Sequence, residues 1–480
     1  MSLLVVDVGT SGVRAAVVAP DASILAEHHR QVLPSSPAPG LVEFDPTAMA
    51  EAALDVARAA LDDGGPVEAV GIANQRASTV VWDRATGEPV GPGIGWQDLR
   101  TVFDCLTLRE QDVHLAPNQS ATKLKHLLDH CDADRTRDLC FGTVDSWIAW
   151  TLSAGTAHVT DWTNVMLTGL RSSDGQAWDV HVLDVLGVPA SMLPDVVDSS
   201  GACGEANALP GNPTIAGIAG DQQASLVGQG CMVPGLAKIT FGTGAMLDLC
   251  VGPNRPAAAA RGPAGTFPIV TWARHGALTW GVEAVMLSAG TNVEWLRDDL
   301  GIIESAAASH DVASQCETAD GAVYVPALLG LGTPHWDYGA RGTLLGITRG
   351  TGRPHVVRAV LEGVAQRAAD LVEAAESDGG HAIPTLRVDG GMSANPSFLQ
   401  ALADATQRPV EVSPVLEATT LGAAFLTGLA TGTWSDEADV VATWQPRQRI
   451  EPVGRFDRER WQDACARARS WIPDFSALDF

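Results

Sequence analysis

The residue with the clearest chemical potential follows an apolar run in the middle of the chain. The run begins at Ile215 and ends at Gly220, and Asp221 comes next, followed by two glutamines. Open α/β folds bind ligands at the carboxyl ends of their strands, so this spacing places a carboxylate where a ligand lies. Asp221 is therefore a candidate general base. The alternative is an aspartate that only caps the helix predicted over 222–228.

Two turns rich in glycine and hydroxyl groups form a second candidate site, for an anion. Residues 9–12 (GTSG) separate two apolar runs near the amino terminus, and residues 242–244 (GTG) separate two more. Backbone N–H groups and hydroxyls in such turns point outwards and can hold phosphate. Each turn alone is typical of an ordinary hairpin, whereas two turns that face one another across a cleft are not. No Walker-type loop, nucleophile elbow or zinc motif offers a different site.

The elements that must position these residues alternate between strands and helices. This order predicts an α/β fold with a mainly parallel sheet in each half, and the similar hairpins predict a weak internal duplication. The predicted strands are 3–8, 13–18, 67–72, 78–82, 237–241, 245–251, 386–388 and 410–412, and the predicted helices are 45–62, 121–130, 146–152, 222–228, 354–377, 395–406 and 420–432. Residues 96–100 are predicted to begin a further helix and residues 160–164 to form a loop.

Length and charge limit the architecture and the partners. A chain of 480 residues predicts two large domains with a ligand cleft between them, and we place them at 1–230 and 231–480. Its 57 acidic and 31 basic residues give a net charge of −26, which argues against nucleic acid or an anionic membrane as a partner. The acidic surface is compatible with a homodimer or homotetramer but predicts neither.

Cysteine usage and the terminus indicate a compartment. The eight cysteines are scattered without a metal or redox motif, which is typical of reduced cytosolic thiols. The amino terminus has no basic leader, and no run of 18 apolar residues occurs, so we expect a cytoplasmic protein without a membrane span.

Several spaced motifs together resemble one family. They are residues 7–14 (DVGTSGVR), 74–76 (NQR), 141–147 (FGTVDSW), 159–164 (VTDWTN), 217–223 (GIAGDQQ), 342–347 (GTLLGI) and 386–391 (LRVDGG). In this order and number they are similar to the FGGY carbohydrate kinases, and within that family to the glycerol kinases. The resemblance runs from residue 3 to about residue 470. It implies two actin-like (ribonuclease H-like) domains that close over MgATP and a small polyol or sugar.

The resemblance also implies roles for individual residues. Asp221 matches the base that accepts the proton of the attacking hydroxyl, a task for which a carboxylate is suited. Asp7 matches the acid that holds magnesium through water, its alternative being a strand-end aspartate bonded to the next turn. The phosphate and nucleotide positions are Thr10, Ser11, Arg14, Thr243, Gly290, Glu294, Gly391 and Asn395. For Arg14 the alternative is a solvated hairpin side chain, and for Gly391 and Asn395 it is helix capping.

The chain departs from the family pattern at the substrate end. The substrate positions implied by the resemblance are Arg76, Ala77, Trp96, Asn118, Asp221, Gln222 and Met246. Ala77 stands where glycerol kinases have a glutamate, Asn118 where they have a tyrosine, and Met246 where they have a phenylalanine. Loss of the glutamate removes a hydrogen bond worth roughly 1.5–3 kcal/mol, and methionine replaces a rigid wall with a pliable one.

These departures predict a wider pocket for a four- or five-carbon polyol or ketose, such as erythritol or xylulose. The alternative within the family is glycerol as the acceptor, with neighbouring residues repairing the pocket. The alternative of another class is a non-catalytic actin-like ATP-binding protein, which has no use for a base beside the γ-phosphate.

Overall fold

The computed structural model describes residues 1–172, 175–258, 260–415 and 417–478. The strands in chain order are β1 (Leu3–Val8), β2 (Gly12–Val18), β3 (Ile24–Gln31), β4 (Glu43–Phe44), β5 (Ala69–Asn74), β6 (Thr79–Asp83), β7 (Gly93–Ile94), β8 (Leu139–Thr143), β9 (Val159–Asp161), β10 (Asp195–Val197), β11 (Ser200–Glu205), β12 (Thr214–Gly220), β13 (Ala237–Phe241), β14 (Ala245–Gly252), β15 (Phe267–Arg274), β16 (Ala277–Met286), β17 (Val323–Val325), β18 (Thr343–Leu345), β19 (Leu386–Asp389), β20 (Val410–Val412) and β21 (Gln448–Ile450).

The helices alternate with these strands, as the sequence predicts. They are α1 (Pro46–Gly64), α2 (Val102–Leu108), α3 (Ser120–Cys131), α4 (Val144–Leu152), α5 (Trp162–Val165), α6 (Val180–Leu186), α7 (Asp221–Gly228), α8 (Thr291–Glu294), α9 (Ala308–Ala313), α10 (Arg353–Gly379), α11 (Pro396–Thr406), α12 (Ala418–Thr431), α13 (Glu437–Ala442), α14 (Arg458–Ala468) and α15 (Pro473–Ser476). Among the residues described, none of these helices is long and apolar enough to cross a membrane.

One strand arrangement occurs twice within a single sheet of 13 strands. The neighbours β3-β2-β1-β5-β12 have the same order as β16-β14-β13-β19-β20. In both groups the first two pairings are antiparallel and the last two are parallel. This repeated topology confirms the internal duplication predicted from the two hairpins.

The prediction of a mainly parallel sheet is wrong, because the sheet is mixed. Its hairpin strands are nevertheless buried on both faces, which gives them the continuous apolar runs that are typical of parallel strands. Leu4 and Val6 of β1 pack in a core with α1, whereas Leu3 and Val5 pack in a core with α12. The error arises elsewhere, because strands that the sequence analysis did not predict, β3, β15, β16 and β21, add antiparallel pairings to the two predicted hairpins.

Helix starts depend on where short polar side chains bond. Asp45 caps α1 as predicted, since its Oδ1 accepts from the N–H groups of Thr47 at 2.9 Å and Ala48 at 3.2 Å. Residues 96–100 do not begin a helix, because Asp98 accepts from the N–H of Val42, 2.6 Å away on another segment. The helix starts only at Val102.

The prediction of a loop over 160–164 is wrong, because these residues form the end of β9 and the start of α5. Asp161 ends the strand and caps the helix, with its carboxylate accepting from the N–H groups of Thr163 at 3.1 Å and Asn164 at 3.0 Å. A single capping aspartate therefore joins two short elements that neither periodicity nor length reveals in the sequence.

Two helices of small residues pack at unusually close range. A side chain added at Gly228 of α7 would meet the backbone of Ala418 of α12, and one added at Gly422 would meet the backbone of Ala224. Only glycine fits at these two positions. The predicted close packing of the helix over 420–432 is confirmed, with α7 as its partner.

Two buried carboxyl groups lie next to one another behind β12. The Asp145 carboxylate accepts hydrogen bonds from Thr143 and from Thr160, whose Oγ1 lies 2.7 Å away, and from the Asp161 N–H at 3.2 Å. Burial, reinforced by the Asp161 charge, raises the pKa of Asp145 to about 7. The folded protein therefore retains a proton that the unfolded chain has lost above its ordinary pKa of 3.8.

This difference predicts a pH-dependent loss of stability. As pH rises from about 4 to about 7, the Asp145 site should lower the free energy of unfolding by roughly 1 kcal/mol per pH unit. We expect the thermal midpoint of the wild type to fall relative to that of D145N between pH 5 and pH 7. D134N, at an exposed position, is the matched control and should follow the wild type. Parallel curves for wild type and D145N would contradict the prediction.

Candidate active site

Three parallel strands deliver the predicted residues to one edge of the sheet. Val8 of β1 lies beside Asn74 of β5, and Asn74 lies beside Gly220 of β12. The chain therefore places Asp7 and Asp221 at neighbouring strand ends, with the loop that carries Arg76 between them. This arrangement is the one that the spacing of the motifs predicts.

Asp221 opens α7 and does not cap it. Gly220 occupies the capping position, and the Asp221 Oδ1 accepts from the N–H of Gln222 at 2.8 Å. The carboxylate lies 3.6 Å from Nε of Arg76 and is 32% exposed. Burial raises its pKa, while the charge of Arg76 and the Gln222 N–H lower it. The geometry leaves this carboxylate facing the cleft, beside a cation.

Arg76 lies between carboxylates from both halves of the chain. Its Nη2 is 2.7 Å from the Glu283 carboxylate on β16, and its Nη1 donates to Oε1 of Gln223 at 3.4 Å. Burial lowers the pKa of Arg76, but the charges of Glu283 and Asp221 raise it above its usual range. The guanidinium therefore stays charged at the floor of the cleft.

Asp7 is half-buried, and its side chain lies near that of Asp221. No group in the described ranges donates a hydrogen bond to its carboxylate, so the alternative of a strand-end aspartate bonded to the next turn is not what the structure contains. Burial and the Asp221 charge raise the pKa of Asp7 to about 6, against the lowering effect of Arg14. Two neighbouring carboxylates whose oxygen atoms are available as ligands form a site that suits a cation.

The first glycine-rich turn contacts the segment that carries Trp96. The Gly9 N–H donates to the Gly12 carbonyl at 3.0 Å, which closes the turn around Thr10 and Ser11. Nε1 of Trp96 lies 3.4 Å from Oγ1 of Thr10. The turn and the predicted substrate tryptophan are therefore in contact.

Arg14 follows this turn and is not a solvated hairpin side chain. It is only 22% exposed and forms an ion pair with Glu417, next to α12, and a longer one with Glu27 at 3.8 Å. The alternative considered for Arg14 in the sequence does not apply.

The second glycine-rich turn contacts the start of α8. The N–H of Ala289 donates to the Thr243 carbonyl at 2.8 Å, and that of Gly290 donates to the Gly242 carbonyl at 2.9 Å. A side chain at Gly290 would lie 2.6 Å from the same Gly242 oxygen, so the position requires glycine. Glu294 ends α8 and is exposed.

The remaining nucleotide positions lie at the end of the neighbouring strand. β13 and β19 are parallel and pair Thr240 with Asp389, so Gly391 emerges at the same sheet edge as the second turn. Open space surrounds Gly391. Asn395 caps α11 by accepting from the N–H of Phe398, and its Nδ2 donates to Ser309 Oγ at 2.8 Å. The capping role of Asn395 is therefore present in the structure.

The residues that depart from the family pattern at the predicted substrate site differ in burial and in their contacts. Ala77 is buried, with φ of 60°, and its carbonyl accepts from Ser120 Oγ at 3.0 Å, which ties it to the segment that contains the exposed Asn118. Met246 is partly buried on β14. Trp96 is 36% exposed, and its carbonyl accepts from Lys123 Nζ at 3.2 Å.

The floor of the cleft contains Arg76 and three further charged residues that the sequence analysis did not single out. Lys238 and Asp248 are fully buried on β13 and β14, with Nζ and Oδ2 2.9 Å apart, and Glu283 is the partner of Arg76. Nζ of Lys238 also donates to Oε1 of Gln222 at 2.6 Å. A charge inside an apolar strand is the signal that could have revealed them.

A histidine, an aspartate and a cysteine also meet away from the cleft. His335, Asp370 and Cys465 have ligand atoms within 4.8 Å of one another. However, the Asp370 carboxylate oxygens already accept from Arg367 and Arg458, each at 2.5 Å. Two cations at this distance oppose a metal ion, so the cluster is an ion-pair network that joins α10 to α14.

Comparison with known proteins agrees with this geometry. Residues 2–228 match the model of the N-terminal domain of the FGGY family of carbohydrate kinases, and residues 237–431 match that of its C-terminal domain. A glycerol kinase of Aromatoleum aromaticum is 41% identical over 495 residues, covering 98% of this chain and 99% of that protein.

Solved structures share the fold over the whole chain. A crystal structure of Plasmodium falciparum glycerol kinase with ADP has a TM-score of 0.89 and 25% identity, covering 100% of this chain and 99% of that one. A xylulose kinase from Rhodospirillum rubrum, 21% identical, shares the fold with a TM-score of 0.86, covering 99% of this chain and 100% of that one. The predicted fold class, α/β with two actin-like halves, is confirmed.

These matches extend over both halves of the chain and include the strand ends that carry Asp7 and Asp221. The chain belongs to the FGGY family of carbohydrate kinases, and it is an enzyme that phosphorylates an alcohol group of a small sugar or polyol.

Proposed function

We propose that Asp221 is the general base of an ATP-dependent polyol kinase and that Arg76 positions the acceptor beside it. The observation that carries the proposal is the 3.6 Å approach of Arg76 Nε to the Asp221 carboxylate at the strand ends. Arg76 offers only donors and Asp221 only acceptors, so a hydroxyl that contacts both is oriented with its proton towards the carboxylate. The base then takes this proton as the oxygen attacks the γ-phosphate.

The two glycine-rich turns support a site for the nucleotide and its phosphates. We assign Thr10, Ser11 and Arg14 to the transferred phosphoryl group and Thr243 to the nucleotide. Gly290, Glu294, Gly391 and Asn395 lie near the second turn and are assigned to the rest of the nucleotide. The similar Plasmodium falciparum protein, solved with ADP, supports this assignment.

The unbonded carboxylate of Asp7 fits a hydrated magnesium ion. Its lone pairs are free to accept hydrogen bonds from metal-bound water, and the nearby Asp221 charge favours a cation between them. When bound, the ion supplies positive charge that neutralises the phosphates.

The acceptor proposed first is glycerol, as indicated by relatives named glycerol kinase at 38–41% identity. A four- or five-carbon polyol or ketose is the second candidate, because Ala77, Asn118 and Met246 leave more room than the family residues. Three carboxylates and two cations form the cleft floor, which favours a neutral acceptor over a sugar acid.

Replacing the base tests the kinase mechanism. D221N should lower kcat by about 10²–10⁴-fold, because an amide cannot accept the hydroxyl proton, while ATP binding is retained. The measurements are coupled ADP release and ATP titration by calorimetry. D195N changes an exposed aspartate away from the cleft and should keep wild-type turnover. Undiminished turnover in D221N would contradict the assignment and would favour a protein without this base.

Restoring the family glutamate tests the shape of the pocket. A77E should lower KM for glycerol by about tenfold or more, since it adds a charge-assisted hydrogen bond, and should weaken the use of longer acceptors. The wild type and A77E would be compared on glycerol, erythritol, threitol, ribitol, xylitol, xylulose, ribulose and gluconate.

The matched control for this experiment is A154E. Ala154 has a similar backbone conformation, with φ of 55° against 60° for Ala77, but it is exposed and distant in sequence. The A154E variant should therefore have the same acceptor preference as the wild type. If the wild type already prefers glycerol and A77E does not improve it, the wider pocket is wrong and glycerol remains the acceptor.

A further inference from the structure

A buried lysine contacts the predicted acceptor-binding amide. Lys238 is fully buried, and its three N–H donors have three partners: Gln222 Oε1 at 2.6 Å, Thr240 Oγ1 at 2.9 Å and the Asp248 carboxylate at 2.9 Å. The ammonium group is therefore held by two hydrogen bonds and one ion pair.

These contacts determine which end of the Gln222 amide faces outwards. An ammonium group can only donate, so the oxygen of the amide must point to Lys238. The amide NH2 is then the part left for a ligand, next to the Asp221 carboxylate. A flipped amide would place its N–H groups against the lysine donors, which is unfavourable in a buried site.

Asp248 is the ion-pair partner of Lys238 beneath the cleft. Both of its carboxylate oxygens are buried and make no hydrogen bond within the described part of the chain, although one lies 2.9 Å from the lysine nitrogen. A buried, incompletely bonded carboxylate is costly unless it compensates a charge. Asp248 therefore serves as the counter-ion of Lys238, and its charge also raises the pKa of Arg76.

We propose that Lys238 is a positioning residue for acceptor specificity, which fixes the Gln222 amide with its NH2 towards the acceptor, and that Asp248 holds Lys238 in place. The inference rests on the proposed function, because it takes Gln222 as an acceptor-binding residue. It specifies the acceptor further: the hydroxyl oxygen at Gln222 must accept a hydrogen bond, while the reacting hydroxyl donates its proton to Asp221.

The test is a double-mutant cycle on steady-state kinetics. K238M should raise KM for the acceptor by about ten- to a hundredfold, because the amide is free to rotate, and leave KM for ATP within about twofold. Q222A should raise KM for the acceptor similarly. The double variant K238M/Q222A should be no worse than Q222A, since the lysine acts through the amide.

A charge-balanced variant keeps the test valid if K238M alone does not fold. K238M/D248L removes both members of the buried pair, a change that proteins often tolerate, and should show the same rise in acceptor KM. R367M is the matched control: it breaks a buried pair with Asp370 away from the cleft and should leave acceptor KM unchanged. Thermal melts separate destabilisation from the kinetic effect.

The outcomes are distinct. An acceptor KM within about twofold of wild type in both K238M and K238M/D248L overturns this inference alone, as does an effect of K238M that persists in the Q222A background. Absence of acceptor-dependent ADP release by the wild type overturns the proposed function and the inference with it. A rise in acceptor KM that K238M and Q222A share and that R367M does not show supports the inference.

Discussion

A buried guanidinium determines how the two halves of the chain meet at the cleft. Arg76 comes from the loop after β5, and its charge is compensated by Glu283 on β16 and by Asp221 on α7. A desolvated cation without such partners would be strongly destabilising, so the position of one half relative to the other is constrained here. The same constraint places the carboxylate of Asp221 beside a group that has only donors.

The short helix α5 supports this arrangement from behind. Asn74 and Asn164 exchange amide hydrogen bonds of 2.8 and 3.0 Å, which holds the end of β5 from which the loop leaves. Oγ1 of Thr163 accepts from the N–H of Gly220 at 2.8 Å, directly before the proposed base. Both strand ends are therefore held by one element, whose own start depends on the buried carboxylate of Asp161.

Local patterns in the sequence predicted much of the fold and the strand ends where the candidate site residues lie. The two hairpins, the cap at Asp45 and the strand end before Asp221 depend on neighbouring residues, and each is found where it was predicted. The mixed character of the sheet was missed because the strands that add further antiparallel pairings, among them β15 and β16, were not predicted. The short turn at Asp98 was missed because its carboxylate bonds Val42, which is distant in the sequence.

The polar floor of the cleft could not be predicted for the same reason. Lys238, Asp248 and Glu283 lie on three strands of the second half, and their partners Gln222 and Arg76 lie in the first. Such contacts depend on the register of distant strands, which no local periodicity specifies. A sequence with isolated charges inside apolar strands indicates only that some partner exists.

The close packing of α7 against α12 limits how this enzyme can be redesigned. The helix that carries Asp221 and Gln222 has no space for a side chain at Gly228, and the facing position Gly422 is equally restricted. A mutant library that varies either glycine would displace the whole helix and mask any gain in acceptor range. Diversity is better confined to Ala77, Asn118 and Met246, where the backbone is supported independently of that contact.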